Sequence, residues 1–150
     1  MKKIVYLWLL LAASTFATAQ KKIQSPAEFL GYELGTKFTF HHRVIDYYEY
    51  VAQQAPNRVK LVSYGTSFEG RPLLVAFVAN ETNLAQLEDI RTNNLKSIGL
   101  LEGKPTAKVP AIAWMSYNIH GNEAISSEAA MQVLYELLNT ANELTQGVLK

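Results

Sequence analysis

Cysteine is absent from all 150 residues, which excludes a disulfide framework and a lipid-anchored cysteine. An excess of one charge is also missing: 14 basic residues stand against 13 acidic ones, with no long run of either sign. That balance gives no electrostatic argument for nucleic-acid binding, and none is expected. Charged residues make up only 18% of the chain, too few for a disordered protein. No repeat, low-complexity tract or nucleotide-binding glycine fingerprint interrupts it. Histidine is scarce: His41, His42 and His120 are the whole supply, and beyond Glu123 there is neither His nor Arg. What remains is apolar. Hydrophobic residues reach 49%, enough at this length for one buried core.

The first nineteen residues form a signal peptide. Lys2 and Lys3 give a basic start, Ile4 to Ala13 an apolar stretch, and Ala17-Thr18-Ala19 a small-x-small cleavage site before Gln20. The apolar stretch is short for a membrane span, so the expectation is export to the periplasm or beyond, with no stable membrane anchor. Cleavage removes two of the 14 basic residues and no acid, leaving 12 against 13, a net charge of −1. Residues 20–40 then read as an irregular lead-in with a short helical turn at Ser25-Pro26, and residues 41–150 as one domain.

Within that domain Val44, Tyr48, Val51 and Ala55 recur at spacings of four, three and four, the period of a helix face that Pro56-Asn57 ends. His41 and His42 stand at its start; as neighbours they point in different directions and read as surface or capping residues rather than metal ligands. Arg58 to Tyr64 alternates like a strand, with Val59 and Leu61 on one side and Lys60, Val62 and Tyr64 on the other. Leu73 to Ala79 is a nearly continuous apolar run, expected of a strand covered on both faces. The turn region 65–70 joins them, and Arg71-Pro72 at the second strand's entry reads as a substrate contact or as an ion pair or cap. Asn83 is a candidate cap for a helix through Leu84, Leu87 and Arg91. Residues 97–110, with Gly99, Gly103 and Pro105, read as a loop. Ala111 to Tyr117 reads as a third strand. Ser126 or Ser127 is placed to cap a last helix, with Glu128 at its positive end and Ala130, Val133, Leu134, Leu137 and Ala141 as its apolar stripe. Met131 reads as core, and 139–150 as an exposed tail.

Between the third strand and the last helix lies His120-Gly-Asn-Glu123. A strand, a polar turn and a helix in succession are how α/β enzymes place chemistry at a sheet edge. Imidazole nitrogen and carboxylate oxygen bind zinc at similar lengths, so His120 and Glu123 can share one cation. A satisfied polar turn at a strand end explains the same two residues.

Two segments and the order of elements resemble the zinc carboxypeptidase family, the carboxypeptidase A-like metallopeptidases. Tyr64-Gly-Thr-Ser-Phe-Glu-Gly-Arg-Pro72 is similar to that family's Gly-x-Ser-x-x-Gly-Arg signature, and Asn118-Ile-His-Gly-Asn-Glu123 to its His-x-x-Glu zinc motif. The order of helix, hairpin, helix, strand and motif also matches, over roughly His41 to Leu138. The resemblance implies an α/β fold, a mixed sheet with flanking helices. It would be the incomplete N-terminal part of a zinc-carboxypeptidase-like (phosphorylase/hydrolase-like) fold. It further implies Zn2+ as cofactor, with His120 and Glu123 as its first two ligands, and a peptide or protein substrate cut at its C-terminal peptide bond by a metal-activated water. The family's third His, catalytic Glu and carboxylate-gripping Arg and Tyr lie further along the chain and have no match here, so no catalytic or substrate-binding residue is assigned. Asn122 stands where digestive members carry Arg. The expected protein is therefore the N-terminal piece of an exported metallocarboxypeptidase, weakly active or inactive without the remaining part of its catalytic domain. Two other readings are an exported, non-catalytic peptide- or glycan-binding module and an amidase acting on cell-wall stem peptides.

Overall fold

The computed structural model describes residues 22–106, 108 and 110–149; the segment 1–19, expected to be a signal peptide, lies outside them. Ser25 opens helix α1 (Pro26–Leu30). Its hydroxyl accepts from the Glu28 amide at 3.3 Å, and its own amide donates to the Glu28 carboxylate at 2.7 Å. This capping box satisfies two amides that a helix start leaves orphaned. Hydrogen bonding from Ser25 to the carboxyl, from its backbone amide first and then its side chain, holds Glu28 below its ordinary value. Gly31 ends the turn with φ of 79°, a left-handed conformation that glycine adopts without strain.

Helix α2 (His41–Gln54) follows its predicted face. Val51 and Ala55 are buried, and Val44 and Tyr48 pack against the core. The sequence pattern missed Tyr47, which is fully buried. Its ring meets Phe29 edge-on at 5.2 Å between centroids, and its hydroxyl donates to the Gln24 carbonyl at 3.0 Å. The lead-in is thereby tied to the domain. The histidines do not cap α2: no side chain caps Phe40–His41. His41 Nε2 lies 3.1 Å from the Pro72 carbonyl, and His42 stacks on Phe40.

Strands β1 (Val59–Thr66) and β2 (Pro72–Val78) form an antiparallel hairpin, with Val59 opposite Val78, Leu61 opposite Ala76 and a bulge between Ser63 and Gly65. Among the described residues this two-stranded, purely antiparallel ladder is the whole sheet. The mixed sheet is therefore not present in these residues. The expectation that β2 is covered on both faces also fails. Val59, Leu61 and Val78 meet the helical core, whereas the other face keeps Val62 and Phe77 exposed, because helices cover only one side of the ladder.

Ala111 to Tyr117 forms no strand. A strand is defined by ladder bonds to a neighbour, and this segment pairs with neither β1 nor β2. Ile112, Trp114 and Met115 are consequently exposed.

Asn80, not Asn83, caps the next helix: its side chain accepts from the Asn83 amide at 2.8 Å. Two helices follow, α3 (Glu81–Ala85) and α4 (Leu87–Ser97). The Thr92-Asn93-Asn94 stretch lies inside α4, where buried Asn93 accepts from the Thr106 amide at 2.7 Å and moors the loop after the helix.

Helix α5 (Ile125–Leu138) packs on α2, and a short α6 (Glu143–Gln146) interrupts the expected tail. Neither Ser126 nor Ser127 caps α5; Ala124 precedes it without a side-chain cap. The buried stripe is Ser127, Glu128, Ala130, Met131, Leu134 and Leu138. Of the expected stripe, Ala130 and Leu134 are buried, whereas Val133 and Leu137 are half-buried and Ala141 is exposed; polar Ser127 and Glu128 take the buried first turn. Met131 is core, as expected. Arg58 reaches the Leu137 carbonyl at 3.3 Å, placing its charge at the negative end of α5.

Burial raises the phenol pKa of Tyr47 and of Tyr48, with neighbouring tyrosines adding a smaller upward push. The Tyr48 hydroxyl also donates to the Ala130 carbonyl at 3.0 Å, joining α2 to α5. Because the folded values are raised, the stabilisation is complete below the unfolded phenol value of about 10 and is lost as pH rises above it. The unfolding free energy from urea titrations should hold between neutral pH and about pH 10, then fall by up to ~1.4 kcal/mol per pH unit for each phenol. Tyr47→Phe should flatten that slope; an unchanged slope would contradict this assignment.

Candidate metal-binding turn

Asn118 stands in the left-handed region, with φ of 56°, and is the non-glycine residue with positive φ among those described. The chain bends just after it, at Ile119 and His120, and enters the turn. The Glu123 amide then donates to the His120 carbonyl at 3.2 Å. A turn closed in this way holds its first and last α-carbons within about 7 Å, so His120 and Glu123 share one small turn. The Ser126 amide donates to the Glu123 carbonyl at 3.1 Å, and the Ser127 amide to the Ala124 carbonyl at 3.4 Å. The turn therefore runs into α5 as a continuous series of tight bonds.

His120 and Glu123 are both exposed. Among the described residues neither side chain has a hydrogen-bond or ion-pair partner. The bonds that close this turn are made by its backbone, and both side chains face solvent. One imidazole and one carboxylate, both unclaimed, are donor types that zinc accepts. They fit half of a four-coordinate site: among the described residues no group of three or more candidate donors comes together. A shallow depression of about 200 Å³ lies just past the turn, lined by Leu34, Gly35, Ile125, Glu128, Ala129 and Gln132. Neither donor lines it.

The Gly-x-Ser-x-x-Gly-Arg segment has a local explanation. Ser67 accepts from the Arg71 amide through its hydroxyl at 3.1 Å and from the Gly70 amide through its carbonyl at 2.9 Å, and its own amide donates to the Arg71 carbonyl at 2.7 Å. Gly70 takes φ of 75°, and the Arg71 guanidinium pairs with Glu69 at 2.6 Å. Ser67, Gly70 and Arg71 thus build the hairpin connection itself, and Arg71 makes the ion pair rather than standing free for a ligand. Being exposed on both partners, that pair is worth about 0–1 kcal/mol.

The contacts of two polar residues escaped the sequence reading. Asn118 donates through its side-chain amide to the buried Ser127 hydroxyl at 2.7 Å. Glu128 is buried and accepts from the Gly35 amide and from the Thr39 hydroxyl, the latter at 2.6 Å. A carboxylate in the first turn of a helix looks like a partner for the helix dipole. Only the folded lead-in shows that it serves another segment.

The zinc carboxypeptidase family profile matches residues 44–149, more than two thirds of the chain. The chain belongs to the zinc carboxypeptidase family, whose members are normally zinc-dependent peptidases. No curated protein and no solved structure matches the chain.

Proposed function

We propose that this chain supplies the metal-anchoring turn of an exported zinc metallocarboxypeptidase, with His120 and Glu123 as two of the zinc ligands. The observation that carries the reading is the pairing of two unclaimed donors on one closed turn inside the segment that the family profile covers. When bound, zinc polarises the scissile carbonyl and lowers the pKa of a coordinated water. The chain's own part is to hold two donors at the start of α5. On this reading the third imidazole, the general base and the groups that grip a substrate's terminal carboxylate belong to chain following Lys150. Asn122 leaves the position between the ligands without a cation. Export rests on the basic, apolar and small-x-small pattern of residues 1–19.

The purified chain should bind zinc weakly and saturably, and His120→Ala and Glu123→Ala should each abolish that binding in calorimetric titration. It should cleave neither a peptide with a free C-terminus nor its C-terminally amidated counterpart. Chelator-sensitive cleavage of the free peptide alone would overturn the inactive-alone part of this proposal. Zinc binding unaltered by both substitutions would overturn the ligand assignment. In the coding DNA, an open frame past Lys150 carrying a later His and then a Glu is expected. Unrelated sequence there would favour the binding-module reading, and hydrolysis of stem peptides by the longer protein would favour the amidase.

A further inference from the structure

The donor turn carries no buried side chain of its own between Asn118 and Ser126, so packing does not fix its shape. Its two ends are fixed instead. Asn118 enters it at φ of 56°, a region that asparagine tolerates better than other side chains because its short amide bonds locally. From that position its amide reaches across nine residues to the Ser127 hydroxyl at 2.7 Å. Ser127 is itself buried in the first turn of α5. The next residue, Glu128, binds the lead-in through Gly35 and Thr39, so the helix turn carrying Ser127 is anchored on its other side.

We propose that the Asn118–Ser127 bond is a bracket across the base of the donor turn, and that Asn118 is a positioning residue for the metal ligands His120 and Glu123. The proposal rests on the reading of those two residues as zinc ligands. The Asn118 amide is committed to Ser127 and is not itself assigned as a ligand. It acts by shortening the ensemble of loop shapes, so that less order must be imposed when both donors close on one ion. Residues that orient metal ligands without binding the metal typically change affinity by about 10- to 100-fold when removed.

Two measurements on the full chain test this. In zinc titrations, Asn118→Ala and Ser127→Ala should each weaken binding about tenfold. The double variant should be no weaker than either single one, because both remove the same bond. Ser127→Thr, which keeps the hydroxyl, should restore wild-type affinity. Asn118→Gly, which keeps the left-handed backbone but loses the amide, should remain weak. In metal-free protein, the backbone order parameters of Gly121 to Glu123 should fall from about 0.85 towards about 0.6 in Asn118→Ala. Wild-type affinity in the single variants, additive losses, or unchanged order parameters would each overturn the bracket. Failure of the wild-type chain to bind zinc would instead overturn the ligand reading, and the metal-free order parameters would still decide whether the bracket exists.

Discussion

Glu128→Ala should cost about 3 kcal/mol of folding stability and release the lead-in from α5. In the native chain both carboxylate oxygens are occupied, one by the Gly35 amide and the other by the Thr39 hydroxyl. Thr39 is buried as well, and its oxygen lies 2.7 Å from the Tyr32 hydroxyl. Since Thr39 gives its single proton to Glu128, Tyr32 must donate to Thr39, and the three groups form a one-way relay ending on the carboxylate. Hydrogen bonds to a charged group contribute about 1.5–3 kcal/mol each, and a buried donor left without a partner costs about 1–3 kcal/mol. Removing the carboxylate also removes its own burial cost, so the total is less than the sum of those figures. Glu128→Gln should cost about half as much, because its single amide oxygen can serve one donor while its NH2 faces the other. Urea midpoints at constant m-value provide the measurement. A Glu128→Ala protein within about 0.5 kcal/mol of wild type, the range of ordinary surface changes, would show that the relay holds nothing together.

Tyr47→Ala is expected to cost about 3–5 kcal/mol, the range for deleting a large buried ring. The ring is fully buried between α1 and α2, with Phe29 and Tyr50 at centroid distances of 5.2 and 6.2 Å. Its hydroxyl contributes less. Gln24, whose carbonyl accepts from it, is exposed, so water can replace the lost bond and Tyr47→Phe should cost only about 1 kcal/mol. The large difference between the two substitutions is the diagnostic result. A domain of this size has about 5–15 kcal/mol of stability in total, so Tyr47→Ala should broaden or abolish the cooperative transition seen by circular dichroism. Equal effects from the two variants would place the stabilisation in the hydroxyl and contradict the packing argument.

Local periodicity carried much of the architecture. The four-three-four spacing of Val44, Tyr48, Val51 and Ala55 identified α2 and its inner face, and alternation along 59–64 identified the face of β1 that meets the core. Both patterns report which side of an element is apolar, and burial follows that directly. Helix starts were less legible. Asn80 and Asn83 lie three residues apart and are equally good caps by residue type; which one caps depends on backbone geometry that composition does not encode. Ser126 and Ser127 also have cap chemistry, but the tight bonds of the donor turn run into α5 and leave the helix to begin at Ile125.

The expected third strand shows the limit most clearly. Ala111 to Tyr117 has strand composition, yet composition supplies only a tendency and the ladder must come from a neighbour. Neither hairpin strand offers one to it. Glu128 is a second instance. Its place near a helix start suggested a dipole partner, whereas its true partners lie 93 and 89 residues earlier in the chain.

What the amino-acid sequence determined by itself is the identity and spacing of the two donors, His120 and Glu123, and the family to which they point, because both reside in a contiguous run of residues. Tertiary structure alone decided that the two side chains are unclaimed, that Asn118 turns the chain in the left-handed region, and that Ser127 and Glu128 face inward. Those properties depend on contacts between segments far apart in the chain, and their bond partners are chosen by how the lead-in, α2 and α5 pack together.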